Sequence, residues 1–312
     1  MIAFGGRAAA ACELQQIAEL PVTVVDNQPL VDVSVNGRPV RFLLDTGAST
    51  TMLTVPGAEA LGLKWFQVDR MTSYGAGGAM SVNTTRVQEF KLGGLVLHNL
   101  DMMVSGRVVS DRFVGLLGRD VLLSGGDLEL DLAHNVVRLT KAKDCRGDQV
   151  VYWADAYALA PMGDGWTDMT VKASLNGRAV TALLDSGASR SVVTLDAAQM
   201  AGLTPQSQGV AGQGSSSGLG GDVRTWAGTF QTLGVGSEMV QNARLELSDL
   251  FSRDREMVTG SHMLVSTIEA PDMLLGTDFI KAHRIYIAAS QRKVYFTYNG
   301  GPIFEAPAAK PN

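Results

Sequence analysis

The sequence is poor in aromatic residues and cysteine, and it carries no excess of positive charge. Aromatics make up 6% of the 312 residues, there are two cysteines, and the net charge is −5. No run approaches the ~18 consecutive apolar residues that a transmembrane helix needs. The negative balance argues against a nucleic-acid partner and against attachment to anionic lipid through basic residues. With 46% hydrophobic residues, the chain can still bury a sizeable core.

The cysteines and histidines form no recognisable metal motif. Neither a Cys-x-x-Cys pair nor a His-Glu-x-x-His motif occurs, so we predict no metal and no other cofactor. Cys12 and Cys145 both lie in linker-like stretches, which favours a disulfide between them, although two separate reduced thiols would fit the same sequence. The small residues before Cys12 fit either the end of a signal sequence or an unstructured start.

Glycine, by contrast, is abundant. It accounts for 35 of the 312 residues, or about 11%, against ~7% in average proteins. The glycines have no collagen-like period. Together with the low aromatic content, they predict a β-rich chain with many tight turns.

The chain contains the same segment twice. Residues 36–49 (NGRPVRFLLDTGAS) recur at 176–189 (NGRAVTALLDSGAS), and a Leu-Leu-Gly-x-Asp motif occurs at 116–120 and again at 274–278. The aspartates of the two motifs are 75 positions apart in copy one and 93 in copy two, and we place the extra residues in loops. Two such copies predict two similar lobes related by a pseudo-twofold axis.

Each copy is predicted to be β-structure with short helices. Alternating apolar and polar residues lead into Asn-Gly at 36–37 and 176–177, a dipeptide typical of tight hairpins. We divide the chain into an N-terminal segment, a first lobe, a linker, a second lobe and a tail, at residues 1–20, 21–143, 144–160, 161–300 and 301–312.

One aspartate in each copy has the same neighbours. Asp45 and Asp185 each follow a strand with apolar residues and precede a small hydroxyl residue and a glycine. The glycine allows backbone N–H groups to approach a carboxylate closely. Two carboxylates brought together across a twofold axis share one proton. The negative charge of the first carboxylate to ionise raises the pKa of the second, so that the two groups titrate at separate pH values. The ionised group can take a proton from water while the protonated one donates to a carbonyl oxygen.

These motifs resemble those of the aspartic protease superfamily of pepsins and retropepsins. The resemblance rests on residues 44–49 and 184–189 and on the Leu-Leu-Gly motifs, and covers about residues 21–140 and 161–298. The chain is most similar to tandem, single-chain retropepsin-like proteases of the bacterial periplasm. The resemblance implies an all-β fold with short helices, made of two retropepsin-like closed β-barrel lobes related by a pseudo-twofold axis.

The resemblance also implies roles for individual residues. Asp45 and Asp185 would form the catalytic dyad. Their neighbours Thr46 and Ser186 would exchange hydrogen bonds across the lobe interface, and Gly47 and Gly187 would approach the carboxylates.

Two glycine-rich stretches correspond to the flaps of this superfamily. The first flap would comprise Tyr74, Gly75, Ala76, Gly77 and Gly78. The second would include Gly212 and Gly214 within a longer, serine-rich stretch from 209 to 221, for which a plain flexible loop is the alternative interpretation.

The activity implied is that of an aspartic-type endopeptidase acting on a protein or peptide, as a monomer and without a cofactor. The alternative is a weakly active or inactive pseudoprotease that only binds extended peptides. The resemblance implies a periplasmic or otherwise exported protein, with the cytoplasm as the alternative. Ala48 and Ala188 replace a hydroxyl residue usual in pepsins, so we expect a less acidic dyad and an optimum at about pH 5–6.

Overall fold

The computed structural model describes residues 12–163, 169–251 and 270–304. Within these ranges the chain forms twenty β-strands and four short α-helices. In the described part of the chain, no helix is long and apolar enough to cross a membrane.

The strands of the first half are β1 (Glu13–Val25), β2 (Gln28–Val35), β3 (Arg38–Leu44), β4 (Met52–Leu53), β5 (Phe66–Gly75), β6 (Gly78–Leu92), β7 (Leu95–Val104), β8 (Gly115–Leu117), β9 (Asp127–Asp131) and β10 (Val136–Lys143). Those of the second half are β11 (Ala158–Pro161), β12 (Thr170–Leu175), β13 (Arg178–Leu184), β14 (Val192–Thr194), β15 (Ala211–Gly218), β16 (Gly221–Val235), β17 (Glu238–Ser248), β18 (Met273–Leu275), β19 (His283–Ala288) and β20 (Lys293–Tyr298). The helices are α1 (Val55–Ala60), α2 (Arg119–Leu122), α3 (Leu195–Met200) and α4 (Thr277–Lys281).

Each half contains a closed barrel, and the two barrels have the same strand order. In the first lobe β2, β3, β8, β4, β7 and β6 are neighbours in turn, and β6 pairs back to β2. In the second lobe β12, β13, β18, β14, β17 and β16 repeat this order, and β16 pairs back to β12. The predicted all-β fold with two similar closed lobes is therefore confirmed.

The predicted hairpins form the first two strands of each barrel. Asn36 and Gly37 join β2 to β3 with φ of 51° and 78°, and Asn176 and Gly177 join β12 to β13 with φ of 47° and 79°. Positive φ at both central residues is the conformation that matches the twist of adjacent strands and that Asn-Gly adopts readily. The same dipeptide thus sets the register of the strand that leads to each predicted catalytic aspartate.

A sheet that is continuous with the first barrel connects the lobes. Its strands lie in the order β11, β20, β19, β9, β10 and β1, and β1 continues from this sheet into the first barrel by pairing with β2. The predicted boundary between residues 20 and 21 therefore falls inside β1. Part of the predicted linker forms β11, which pairs with β20.

The connecting sheet contains a buried ion-pair cluster centred on Glu129. This side chain, on β9, is fully buried and accepts hydrogen bonds from Arg138 on β10 at 2.8 Å and from Arg284 on β19 at 2.7 Å. The hydroxyl of Tyr152 donates to its second oxygen at 2.7 Å. Because the two arginines come from different halves of the chain, the cluster joins those halves at the centre of the sheet.

Cys12 and Cys145 are joined as a disulfide. They flank the start of β1 and the end of β10, where Glu13 pairs with Lys143. The antiparallel register therefore brings together two cysteines that are 133 positions apart in the sequence.

Candidate active site

Asp45 and Asp185 lie at equivalent strand ends that face each other between the lobes. Asp45 follows β3 and its N–H donates to the carbonyl of Leu117 on the parallel strand β8, at 3.0 Å. Asp185 follows β13 and its N–H donates to the carbonyl of Leu275 on β18, at 2.9 Å. In each lobe, the strand of the Leu-Leu-Gly-x-Asp motif therefore holds in place the strand end that carries Asp45 or Asp185.

Thr46 and Ser186 form the predicted hydrogen-bonding pair across the lobe interface. The Thr46 Oγ1 atom donates to the carbonyl of Leu184 at 2.7 Å and accepts from the Ser186 N–H at 3.0 Å. Reciprocally, Ser186 Oγ donates to the carbonyl of Leu44 at 2.7 Å and accepts from the Thr46 N–H at 3.0 Å. Both side chains are fully buried, so this symmetric exchange holds the two strand ends rigidly together.

The glycines after the hydroxyl residues lie against the carboxylate of the opposite lobe. A Cβ placed on Gly47 would be 2.5 Å from Cγ of Asp185 and 2.6 and 2.8 Å from its two oxygens. A Cβ on Gly187 would be 2.5 Å from Cγ of Asp45. Each carboxylate therefore occupies space that only glycine leaves open on the other lobe.

Each carboxylate also accepts two backbone hydrogen bonds from its own lobe. Asp45 Oδ1 accepts from the N–H groups of Gly47 and Ala48 at 2.9 and 3.0 Å, and Asp185 Oδ1 accepts from those of Gly187 and Ala188 at 2.9 and 3.1 Å. These bonds stabilise negative charge on one oxygen of each carboxylate.

The environment raises the pKa of both aspartates. Burial is the largest cause for Asp45, the charge of Asp185 adds to it, and together they raise the Asp45 pKa well above its usual range. Burial also raises the pKa of Asp185, while its backbone hydrogen bonds, its hydrogen bond with Asp45 and, least of these, the charge of Arg119 partly oppose this. Two adjacent carboxyls with raised pKa values retain one proton between them at mildly acidic pH, which provides one acid and one base in contact.

The comparison with protein families agrees with this geometry. A family model described as "Aspartyl protease" matches residues 31–121 and 171–279, which is more than half of the chain. The chain belongs to the aspartyl protease family. No curated protein matches the sequence significantly.

This aspartyl protease also has the fold of a solved member of the superfamily. It is similar to the crystal structure of aspartic proteinase from Irpex lacteus, with a TM-score of 0.50 and 14% sequence identity. The match covers 92% of this chain and 97% of that one. The likeness concerns the fold, in agreement with the two barrels described above.

The flaps of this protease meet at their tips. In the first lobe, β5 and β6 turn at Gly75–Gly78, the predicted flap, and Tyr74 just before the turn is half exposed. In the second lobe, β15 and β16 turn at Gly218–Gly221. The Gly77 N–H donates to the carbonyl of Leu219 at 2.8 Å.

The tip of the second flap differs from the residues singled out in the sequence. Gly212 and Gly214 lie inside β15, opposite Trp226 and Thr225, several residues before the turn. A signal for the correct position is present in the sequence, because Gly-Ala-Gly-Gly at 75–78 matches Gly-Leu-Gly-Gly at 218–221. The serine-rich segment before it obscured that match.

Leu219 gives the two flap tips unequal side chains. It packs against a buried apolar cluster of the first lobe that includes Met52 and Phe113, and a Cβ on Gly106 would be 2.8 Å from its Cδ2. The equivalent residue of the first flap is Ala76. The second flap is therefore anchored across the cleft to the first lobe through an apolar side chain.

The sequence analysis assigned no role to the hydroxyl residues six positions after Asp45 and Asp185, which are Thr51 and Ser191. In the second lobe, Ser191 donates its Oγ–H to Asp278 at 2.6 Å, and its Oγ accepts from the Gly276 N–H at 2.9 Å. Thr51 binds Asp120 in the same way at 2.6 Å. The aspartate of each Leu-Leu-Gly-x-Asp motif therefore holds the loop that follows Asp45 or Asp185. Burial raises the pKa of Asp278 to about 6.

The described residues around the two aspartates do not form a metal site. In the part of the chain that the structure describes, no three His, Cys, Asp or Glu side chains converge as a metal site. Most residues that copy two has in excess lie between β17 and β18, and positions 252–269 of that connection lie outside the described residues.

Proposed function

We propose that this aspartyl protease is an active endopeptidase that hydrolyses peptide bonds of a protein substrate with water activated between Asp45 and Asp185. One observation carries the proposal: Gly47 lies against the Asp185 carboxylate while Gly187 lies against that of Asp45. This reciprocal contact places two carboxyls with raised pKa values side by side, which is the arrangement that can divide acid and base roles between two identical groups.

The proposed reaction has two steps. The ionised carboxylate takes a proton from water, the hydroxide oxygen bonds to the peptide carbonyl carbon, and the protonated carboxyl gives its proton to the carbonyl oxygen. The tetrahedral diol then collapses: the C–N bond breaks, a diol hydroxyl returns its proton to the dyad, and the carboxyl that took up the first proton protonates the leaving nitrogen. Each such proton transfer contributes ~10²–10⁴-fold to the rate.

The substrate in this proposal is an extended segment held under the flaps. Flap hairpins present backbone N–H and carbonyl groups with which an extended peptide can pair as an added strand. Since Gly77 and Leu219 are hydrogen-bonded to each other, the tips must separate to admit a polypeptide. Substrates therefore need an unfolded or loop segment long enough to cross the cleft.

The decisive experiment compares the unchanged protein with Asp45→Asn and Asp185→Asn on an unfolded protein substrate from pH 3 to pH 7. We expect cleavage by the unchanged protein and a loss of ~10³-fold or more in each variant. The matched control is Asp32→Asn, which changes an exposed carboxylate on β2 and should cleave normally. An unchanged protein that binds the substrate but never cleaves it would instead support a peptide-binding module.

We also propose that the protein works as a monomer in an oxidising compartment such as the periplasm. Both aspartates of the dyad come from one chain, and the pairing of Cys12 with Cys145 supports an environment in which disulfides persist. Non-reducing mass spectrometry of protein isolated from its native cells tests the disulfide, since two free thiols would argue for the cytoplasm. Sedimentation measurements of the mass in solution test whether the protein is a monomer.

A further inference from the structure

A small apolar cluster lies on the outer face of the first barrel. Successive side chains of a strand point to opposite sides of the sheet. On β3 and β8, Leu44 and Leu117 accordingly belong to the main core, whereas Leu43 and Leu116 belong to a second, smaller cluster. We name this second group the first-lobe cluster, and its buried members are Leu30, Leu43, Met52, Phe113 and Leu116.

The first-lobe cluster lies next to the proposed reaction centre. Leu43 is two positions before Asp45 and pairs with Leu116 on β8. Ala48 packs against the cluster, and the Ala48 N–H donates to the Asp45 carboxylate at 3.0 Å. The cluster is therefore built on the same strand end that carries one carboxylate of the dyad.

Leu219, at the tip of the second flap, already packs against this cluster. The room for its side chain exists because residue 106 is a glycine, where a Cβ would be 2.8 Å from Leu219 Cδ2 and 3.9 Å from Met52 Cε. The Leu219 carbonyl also accepts a hydrogen bond from the Gly77 N–H of the first flap. An extended peptide is recognised in the same two ways, through backbone hydrogen bonds and through pockets for its side chains. Leu219 is therefore held as a residue of a bound substrate would be.

The equivalent face of the second lobe is less apolar. Val192 pairs in parallel with Glu246, as Met52 pairs with Met103. A partly buried carboxylate thus replaces a methionine that packs against the first-lobe cluster. The alignment of the two repeats also replaces three cluster residues by smaller or more polar ones, namely Leu30 by Thr170, Met52 by Val192 and Phe113 by Pro271.

We propose that the first-lobe cluster selects a large aliphatic substrate side chain on one side of the scissile bond, and that Leu219 occupies this site until such a side chain displaces it. The inference rests on the hydrolysis proposed above. Ala76, the counterpart of Leu219 on the first flap, ends at its Cβ, so it places no comparable side chain on the second lobe. The two flanking side chains of a substrate are therefore selected unequally, strictly by the first lobe and weakly by the second.

The first test compares cleavage of peptides that differ at one of the two residues flanking the cleaved bond. At the position bound by the first lobe, Leu should exceed Ala by ~10²-fold in kcat/KM, because even one missing methylene in an apolar pocket costs ~10–200-fold. At the other position, the same change should cost less than about 10-fold. Equal discrimination at the two positions, or none at either, would overturn the inference.

Reciprocal substitutions assign the strict position to the first lobe. Met103→Glu installs the second-lobe residue beside the cluster and should reduce the preference for Leu over Ala to less than about 10-fold. Met52→Val is a milder exchange of the same kind, should weaken the preference by roughly 10-fold, and decides the matter if Met103→Glu does not fold. Glu246→Met is the matched control and should leave this preference unchanged. If the cluster only anchored the flap, Met103→Glu would lower KM for all peptides and keep the preference.

Leu219→Ala separates the occupant from the site. This variant removes the side chain that competes with the substrate but leaves the first-lobe cluster intact. KM should therefore fall by a similar factor for all peptides, while the ratio of kcat/KM for Leu and Ala peptides stays as in the unchanged protein. An unchanged KM, or a lost preference for Leu, would refute the role of Leu219 as the occupant.

The last test needs no catalysis. In the Asp185→Asn protein, methyl NMR should show a nuclear Overhauser effect between Leu219 and Met52, which both lie against Gly106. An extended Leu-containing peptide should abolish this signal and give one between its own leucine and Met52. A peptide that binds while the Leu219–Met52 signal persists, or the failure of all such peptides to bind, would overturn the inference. If this exchange occurs but the unchanged protein never cleaves, the proposed function fails and the assignment of the binding site stands.

Discussion

Gly47 has no room for a side chain beside the Asp185 carboxylate, and Gly47→Ala tests this contact. The added Cβ would be 2.5 Å from Cγ of Asp185, whereas ordinary van der Waals contact begins at 3.4 Å. The Asp185 carboxylate, or the strand end that carries it, would have to move by about 0.9 Å. Misplacement of a reacting group by ~1 Å can cost ~10²-fold in rate, so we expect a loss of about two orders of magnitude in kcat.

Gly47→Ala should also lose stability but remain folded. Insertion of a methyl group into a packed interface costs ~1–3 kcal/mol, which a folded protein of this size can tolerate. The assay is kcat on an unfolded protein substrate, with the thermal midpoint measured on the same samples. Gly187→Ala should behave equally, because its Cβ would meet Asp45 at the same distance.

The control for this experiment is Gly94→Ala. Gly94 lies in the turn between β6 and β7, and a Cβ there would have nothing within 4 Å. Its activity and stability should match those of the unchanged protein. If Gly47→Ala retained more than about a third of the parent kcat while folded, the contact between Gly47 and Asp185 would not represent the working geometry, and the reasoning would be refuted.

Three further predictions concern the flap, the connecting sheet and the buried aspartate behind the site. Leu219→Ala should lower KM by ~5–30-fold, because it removes ~1–2 kcal/mol of apolar contact that must be broken when the flap tips separate to admit a substrate; an unchanged KM would argue against flap anchoring by this side chain. Glu129→Ala should lower the free energy of unfolding by ~3–5 kcal/mol in urea titrations, since it leaves two arginines without their buried partner. Glu89→Ala, which breaks a partly exposed pair with a lysine, should cost only ~0–1 kcal/mol. Burial raises the pKa of Asp278 from 3.8 to about 6. The folded protein therefore binds the Asp278 proton more tightly than the unfolded chain does. As a result, the free energy of unfolding declines as pH rises from about 4 to about 6. Asp278→Asn should remove roughly 2–3 kcal/mol of that decline, measured by urea unfolding at both pH values, and an equally steep decline in the variant would show that other groups cause it.

Much of the site could be read from the sequence because its parts are local and repeated. The Asn-Gly turn, the apolar strand and the Asp-Thr-Gly or Asp-Ser-Gly that follows are encoded within about fifteen consecutive positions in each copy. Strand and turn preferences of this kind depend on near neighbours in the chain. The repetition then pointed to one shared site between two lobes, in which Asp45 and Asp185 meet.

The second flap shows where local patterns were insufficient. Gly212 and Gly214 have the composition of a flap tip, yet they lie in a strand because they pair with β16. The turn is set by the register between β15 and β16, and register follows from the side chains and turn geometry of both strands together. The contact between Gly77 and Leu219 depends on both lobes, so a single segment carries no sign of it.

The sequence alone predicted two equivalent lobes, and it predicted that Asp45 and Asp185, with the hydroxyl residues Thr46 and Ser186, would meet between them. Only the tertiary structure shows what joins the two lobes. The connecting sheet pairs strands from both ends and the middle of the chain, and it buries Glu129 between arginines of the two halves.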